Sequence, residues 1–160
     1  MEIRNRGNIL EIDDARIIFR NFTGVASKYN REGDRNFAVI IPNEEIKDQL
    51  INDGWNVKVR PPRDIDEQPF MYLPVKIKYG ENGRGPAAYV ISGNNTPTRL
   101  NEETISMLDE IDIQSVEMDL RPYDWEVNGK TGRTAYLQSI KVVQNIDRFG
   151  AQFAADDLPF

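Results

Sequence analysis

Apolar residues along much of this chain recur at every second position, the period of a β-strand with one buried face. In "RNFAVIIP", Phe37, Val39 and Ile41 fall on one side, and Pro42 ends the run. "WNVKVR" sets Trp55, Val57 and Val59 against Asn56, Lys58 and Arg60. "PFMYLPVKIKY" sets Val75, Ile77 and Tyr79 against Tyr72, Lys76 and Lys78. The segment 8–29, "NILEIDDARIIFRNFTGVASKY", is rich in β-branched and aromatic residues and lacks a helix cap. It predicts one long strand, or two with a bend near Gly24. The polar turn "NREGD" at 30–34 then leads into the next strand. "AAYVIS" predicts a short strand, and "SVEMDLRPYDWEV" and "RTAYLQSIKVV" flank "NGKTG". Asn128-Gly129 between two such runs is a strong hairpin signal.

Two segments break the alternation. In "NEEIKDQLINDG", Asn43 can cap the first amides and Glu44 and Glu45 suit a helix N-terminus. Gly54 suits its end, and Ile46, Leu50 and Ile51 form an apolar stripe. A second short helix is predicted from Asn101 through "EETISMLDE". Six to eight hairpin strands with two short helices predict a mainly β chain: an elaborated OB-fold-like Greek-key barrel. The first helix comes earlier than in the simplest plan of that fold. Regularity is lost from Gln144 onward, so the expected organisation is a domain at 1–145 and a flexible tail at 146–160, without internal repeats.

A length of 160 residues, 39% of them hydrophobic and 29% charged, suits one folded domain with tails. The chain has no cysteine and no histidine. Disulfides, Cys/His zinc sites, Ser-His-Asp triads and thiol nucleophiles are thereby excluded. A carboxylate-held magnesium site is the enzymatic option left, but "DID" at 64–66 and "EID" at 110–112 have no evident third ligand. The expectation is therefore no metal, no cofactor and no catalysis. No apolar run is long enough to span a membrane or to act as a signal peptide, so a cytoplasmic location is expected.

The net charge of −6 counts against nucleic-acid binding, but binding depends on where the cations sit. Lys58, Arg60, Lys76 and Lys78 share the solvent parity of two strand segments with Tyr72. If those strands are neighbours, they make a basic surface carrying a ring, as single-strand binders require: cations follow phosphates and a flat ring stacks on any base. A plain solvated strand face is the other reading. A second cluster is Arg16, Arg20, Phe22, Lys28, Tyr29, Arg31 and Arg35 around the first hairpin, a possible closing arm or a turn solubilised by mixed charge. A third is Arg121, Tyr123 and Trp125 with Lys130 and Arg133, where one or both rings could instead be core. "GKTG" is no phosphate loop. The required earlier glycine is Asp124, and the flanks read strand-turn-strand.

The sequence ends in "DDLPF". Pro159 restricts the free conformations, Phe160 can fill an apolar pocket, and Asp156 and Asp157 can meet a basic rim around Leu158. This ending resembles the acidic tip of bacterial single-stranded DNA-binding proteins, which recruits replication, recombination and repair proteins and contacts the DNA-binding surface. The body lacks that family's N-terminal pattern and long linker. "RPYDWEVNGKTGRTAYLQSI" and "AAYVISG" are instead similar to bacteriophage single-stranded DNA-binding proteins, which are elaborated OB-folds. The resemblance implies sequence-independent binding of single-stranded DNA in a bacterial host cell, with residues 156–160 docking partner proteins. The bacterial tetramer does not carry over, and the oligomeric state stays open. A tail-mediated decoy without DNA binding and a carboxylate-metal nuclease are the alternatives.

Overall fold

The computed structural model describes residues 1–93 and 96–146. Its strands are β1 (Glu2–Arg6), β2 (Ile9–Asp13), β3 (Ile17–Asn21), β4 (Arg35–Ile40), β5 (Lys58–Arg60), β6 (Phe70–Ile77), β7 (Ala87–Ile91), β8 (Pro97–Leu100), β9 (Ile113–Val127) and β10 (Lys130–Gln144). Helix α1 (Glu44–Asn52) follows β4. The main path through the sheet runs β1-β2-β9-β10-β6-β4-β3, with β5 on β6 and the β7-β8 pair on β10. The path does not close on itself. The chain is mainly β and OB-fold-like, with elaborations.

Local chemistry explains most boundaries. The Asn43 side chain accepts from Ile46 N at 2.9 Å and caps α1, while Gly54 ends it at φ +92°, where a side chain would be strained. Leu50 is buried, but Ile51 faces solvent, so the inner stripe of α1 is narrower than the spacing suggested. The predicted second helix is a single 3-10 segment, Ile105–Asp109, with Ile105 and Leu108 buried. Its extension back to Asn101 is a turn in which the Asn101 side chain accepts from the amides of Glu103 and Thr104. Such side-chain bonds compete with regular helix.

The segment read as one strand or two is indeed divided, but at Asp14 (φ +51°) rather than at Gly24. An added N-terminal hairpin, β1-β2, escaped the pattern because β1 is nearly all polar. The second departure is a bulge in β3: the register with β4 shifts between Ile18 and Asn21, and Phe19 sits at φ +53°. Alternation through this stretch therefore predicts the wrong faces. The Asn128-Gly129 turn joins β9 to β10 as expected, and Val127 pairs with Lys130. This hairpin is the longest in the molecule's described part, with 15 residues in each strand.

The core lies under the inner faces of β2, β4, β6, β9 and β10. Met71, Leu73, Val75 and Ile77 alternate inward along β6, and Leu10, Ile12, Leu120, Ala135 and Leu137 close the layer. Phe22 and Phe37 stack at 5.1 Å within it. Each fully buried Leu, Ile, Val or Phe contributes about 1.5–3 kcal/mol of transfer free energy.

Candidate nucleic-acid interface

Strand β6 organises the outer face. Because its odd-numbered residues point into the core, Phe70, Tyr72, Pro74 and Lys76 share the other side. Strands β5 and β6 are neighbours, with Lys58 opposite Tyr72 and Arg60 opposite Phe70. The pairing thus brings Lys58 and Arg60 beside Tyr72 and Phe70, whereas Lys76 lies four residues further along β6 and Lys78 just past its end. The Arg60 guanidinium sits 5.8 Å from the Phe70 ring centre, within cation–π range. The β3 bulge pushes Phe19 outward, 54% exposed, where it meets Tyr72 edge-on at 5.6 Å and Phe70 at 6.3 Å.

On the other side of β6, parallel pairing aligns Lys76 with Tyr136 of β10, and Tyr136 in turn faces Arg121 of β9. The Arg121 guanidinium lies 5.1 Å from the Tyr136 ring centre, and Tyr123 packs edge-on to Tyr136 at 6.1 Å while staying 59% exposed. Between these ring groups runs a groove of about 700 Å³. Phe19, Tyr72, Lys76 and Tyr136 line it together with Tyr29, Arg31, Arg35, Lys78 and Tyr79. Asp34 and Glu102 are its acidic members.

The arm that overhangs the groove is cross-braced. The Asn30 side-chain amide donates toward the carbonyls of Val25, Arg31 and Asp34 at 2.9–3.1 Å, and its oxygen accepts from Asn36 Nδ2 at 2.9 Å. Gly33 N donates to Gly24 O at 2.8 Å, and a Cβ on Gly24 would come within 3.1 Å of Gly33 backbone. Tyr29 is 90% exposed at the tip of this arm, with Lys28 5.7 Å from its ring centre. Asn30→Ala is expected to weaken oligonucleotide binding about five- to tenfold while Tyr29, Arg31 and Arg35 remain in place, because the arm must then be ordered on binding. Anisotropy titration of the variant checks this.

Several candidates are placed elsewhere. Phe22 is fully buried against Phe37 and is not a surface ring. The register shift between Ile18 and Asn21 turns it into the core, so it does not share a face with Arg16. Arg20 donates to the carbonyls of Leu108 and Ile111 at 2.9 and 2.8 Å, tying β3 to the 3-10 segment. Asp109 reinforces that tie by accepting from the amides of Phe22 and Thr23. Arg16 is exposed just before β3, outside the groove lining. Arg35 is shared: it donates to Phe22 O at 2.9 Å and lies 5.3 Å from the Tyr79 ring centre. Tyr79 itself is wedged against Gly85, where a Cβ would come within 2.3 Å of the ring. Burial raises its hydroxyl pKa above the ordinary value, with Arg35 opposing.

The third cluster divides. Arg121 and Tyr123 pack against Tyr136 at the edge of the groove without lining it. Trp125 leans on Gly132, where a Cβ would meet the indole at 2.3 Å, and donates from Nε1 to Thr134 Oγ1 at 3.2 Å. Lys130 sits at the hairpin tip. Arg133 has the opposite parity, so it is not a partner of Tyr123: it forms a two-pronged bond to Asp124 at 2.7 and 3.2 Å and lies 5.4 Å from the Trp55 ring centre.

That bond holds the exposed Asp124 carboxyl below its usual range. The depressed value means that the clamp is present above the ordinary carboxylate pKa and is lost as pH falls through the depressed one. A carboxyl titration followed by NMR should show a low Asp124 midpoint that returns to the ordinary range in Arg133→Gln. An unchanged midpoint would refute the clamp.

Sequence reading missed Phe19, Tyr79 and Tyr136, which line the groove, and Phe70, which packs beside Tyr72 at its edge. Phe70 was legible, since it shares parity with Tyr72 in "PFMYLPVK". Tyr136 required the β10-β6 register, and Phe19 the bulge. The residues 156–160 lie outside the described residues. Among the described residues, no cluster of three or more Asp or Glu side chains could hold a metal, and no helix is long and apolar enough to cross a membrane.

Rings interleaved with cations on an open OB-fold-like sheet are the equipment of a single-strand-binding protein. The sequence matches the family described as "Putative phage ssDNA-binding domain" over residues 2–160. The chain belongs to that family, whose members bind single-stranded DNA and are not enzymes. In fold it is similar to the single-stranded DNA-binding protein of bacteriophage Enc34. The C-terminally truncated form gives a TM-score of 0.54 at 13% identity, covering 89% of this chain and 88% of that one. The same protein in complex with ssDNA gives 0.53 at 13% identity, covering 91% of each chain. No curated protein matches the sequence.

Proposed function

We propose that the groove between β6, β10 and the 24–34 arm is the seat for single-stranded DNA, and that the protein coats exposed strands during phage replication and recombination. The observation that carries this reading is that Tyr72, Lys76 and Tyr136 line one groove on the outer face, with Lys76 aligned to Tyr136 and Tyr136 in turn paired with Arg121 at the groove's edge. Phosphates follow Lys76, Lys78 and Arg31, and bases stack on the rings whatever their identity. The Enc34 protein in complex with ssDNA adds support through its shared fold. Titrating a fluorescent oligo-dT across a salt series tests the proposal. Binding that weakens steeply with salt and varies little with base composition is expected, whereas no binding at low salt would defeat it. A parallel RNA series reads the preference for sugar type.

The tip at 156–160 is proposed to dock host or phage replication proteins by inserting Phe160 into an apolar pocket with a basic rim. Deleting Phe160 should abolish capture of those proteins and leave the dT titration intact. Capture that survives the deletion would remove the docking role.

A further inference from the structure

Besides Tyr29 on the arm and the wedged Tyr79, the rings on the outer face of the sheet form two groups at the groove, and the sheet register fixes their separation. Tyr72 and Lys76 lie four residues apart on β6, which is about 13 Å at a rise of roughly 3.3 Å per residue. Tyr136 is aligned with Lys76 one strand away. One group is Phe19, Phe70 and Tyr72, whose centres lie 5.5–6.3 Å apart. The other is Tyr123 and Tyr136. Between them the row of β4 and β6 offers Ala38 opposite Pro74, two residues without a long side chain or a planar ring system. The floor is therefore low in the middle and has stacking surfaces at both ends, and Lys76 stands beside the second of them.

We propose that the groove grips a strand at two points: one base stacks on the Phe19–Phe70–Tyr72 group and another on the Tyr123–Tyr136 pair, with the intervening nucleotides crossing Pro74 and Ala38 without stacking on protein. This rests on the reading of the groove as the DNA seat and adds the positions at which bases count. The separation is about 14 Å, from about 13 Å along the strand and about 4.8 Å across it. That matches the rise of about four stacked nucleotides at roughly 3.4 Å each, and fewer when the strand is drawn out. Affinity should therefore be concentrated at two positions of a short oligonucleotide. Lengthening the strand should raise affinity abruptly once both positions are reached, because the second contact is then intramolecular. The positive φ of Phe19 belongs to the first grip, since the bulge that imposes it is what turns the ring out of the sheet.

The test uses the full chain and dT oligonucleotides. The shortest oligomer with full affinity is remade with a single abasic site at each position in turn. Two separated positions should each lose about five- to a hundredfold in affinity, from base-stacking energies of about 1–3 kcal/mol, and the positions between them less than about twofold. Phe19→Asn and Tyr123→Ala remove exposed rings without touching the core, and asparagine accepts the left-handed backbone at position 19. Phe19→Asn should abolish the abasic penalty at one of the two positions, and Tyr123→Ala at the other. A penalty spread evenly along the strand, or both variants silencing the same position, would overturn the two-point grip while leaving the groove as the DNA seat. Failure of the unmodified oligomer to bind at low salt would overturn both.

Discussion

Reversing Lys76 to Glu is expected to weaken binding of oligo-dT about ten- to a hundredfold at low salt, the largest loss from any single groove residue. Lys76 stands in the central row of the groove face, between Asn36 on β4 and Tyr136 on β10. No carboxylate among the described residues forms an ion pair with it, so its charge is available to a phosphate. The neighbouring cations are partly committed: Arg35 braces Phe22 O, and Arg60 and Arg121 lie on rings. Neutralisation separates charge from shape. Lys76→Gln should flatten the plot of log affinity against log salt by about 0.7, the change when one phosphate of a single strand is no longer neutralised. Lys130→Gln, at the hairpin tip away from the groove lining, should change neither quantity appreciably. Equal effects of the two neutralisations would mean that affinity comes from diffuse charge and not from this row.

The second large effect is on stability. Phe22→Ala should cost about 3–5 kcal/mol, the range for removing a fully buried phenylalanine. A small domain has about 5–15 kcal/mol in total, so the urea midpoint should fall sharply. The ring is fully buried, stacks on Phe37 at 5.1 Å, and sits where Arg35 and Asp109 bond the backbone of Phe22 itself. The fraction that remains folded should bind dT within about twofold of the unaltered protein, since Phe22 reaches no groove surface. Phe19→Asn should show the reverse: weakened binding with little change in the midpoint. Lost affinity in Phe22→Ala at unchanged stability would contradict its assignment to the core. These two phenylalanines are three residues apart, so a strand puts them on opposite faces in any case, and the bulge decides that Phe19 is the one turned outward and Phe22 the one turned in.

Much of the fold was legible because its signals are short-range. The Asn43 cap, the Asn128-Gly129 turn and the alternation along β6 depend on residues a few positions apart, and each formed where the sequence placed it. Reading the chain as an elaborated OB-fold-like β-protein drew on the same local patterns, together with the resemblance to phage proteins. The errors also share a cause. A bulge and a left-handed residue shift parity without any change in composition, so Phe22 was read as a surface ring and Phe19 was passed over. Competing side-chain bonds at Asn101 shortened the second helix.

Which residues could share a surface was thus set by local periodicity, because a strand's parity is a property of its own backbone. Which of them actually meet was decided by pairing between strands distant in sequence. Tyr72 on β6 meets Phe19 from β3, and Lys76 meets Tyr136 from β10, only because backbone hydrogen bonds fix those registers. Arg133 meets Asp124 and Trp55 instead of the groove for the same reason. A one-residue change of register would turn a strand's buried row to solvent, which its own alternation opposes, but a two-residue slip would keep the faces and change every partner, and nothing within a single strand records that choice.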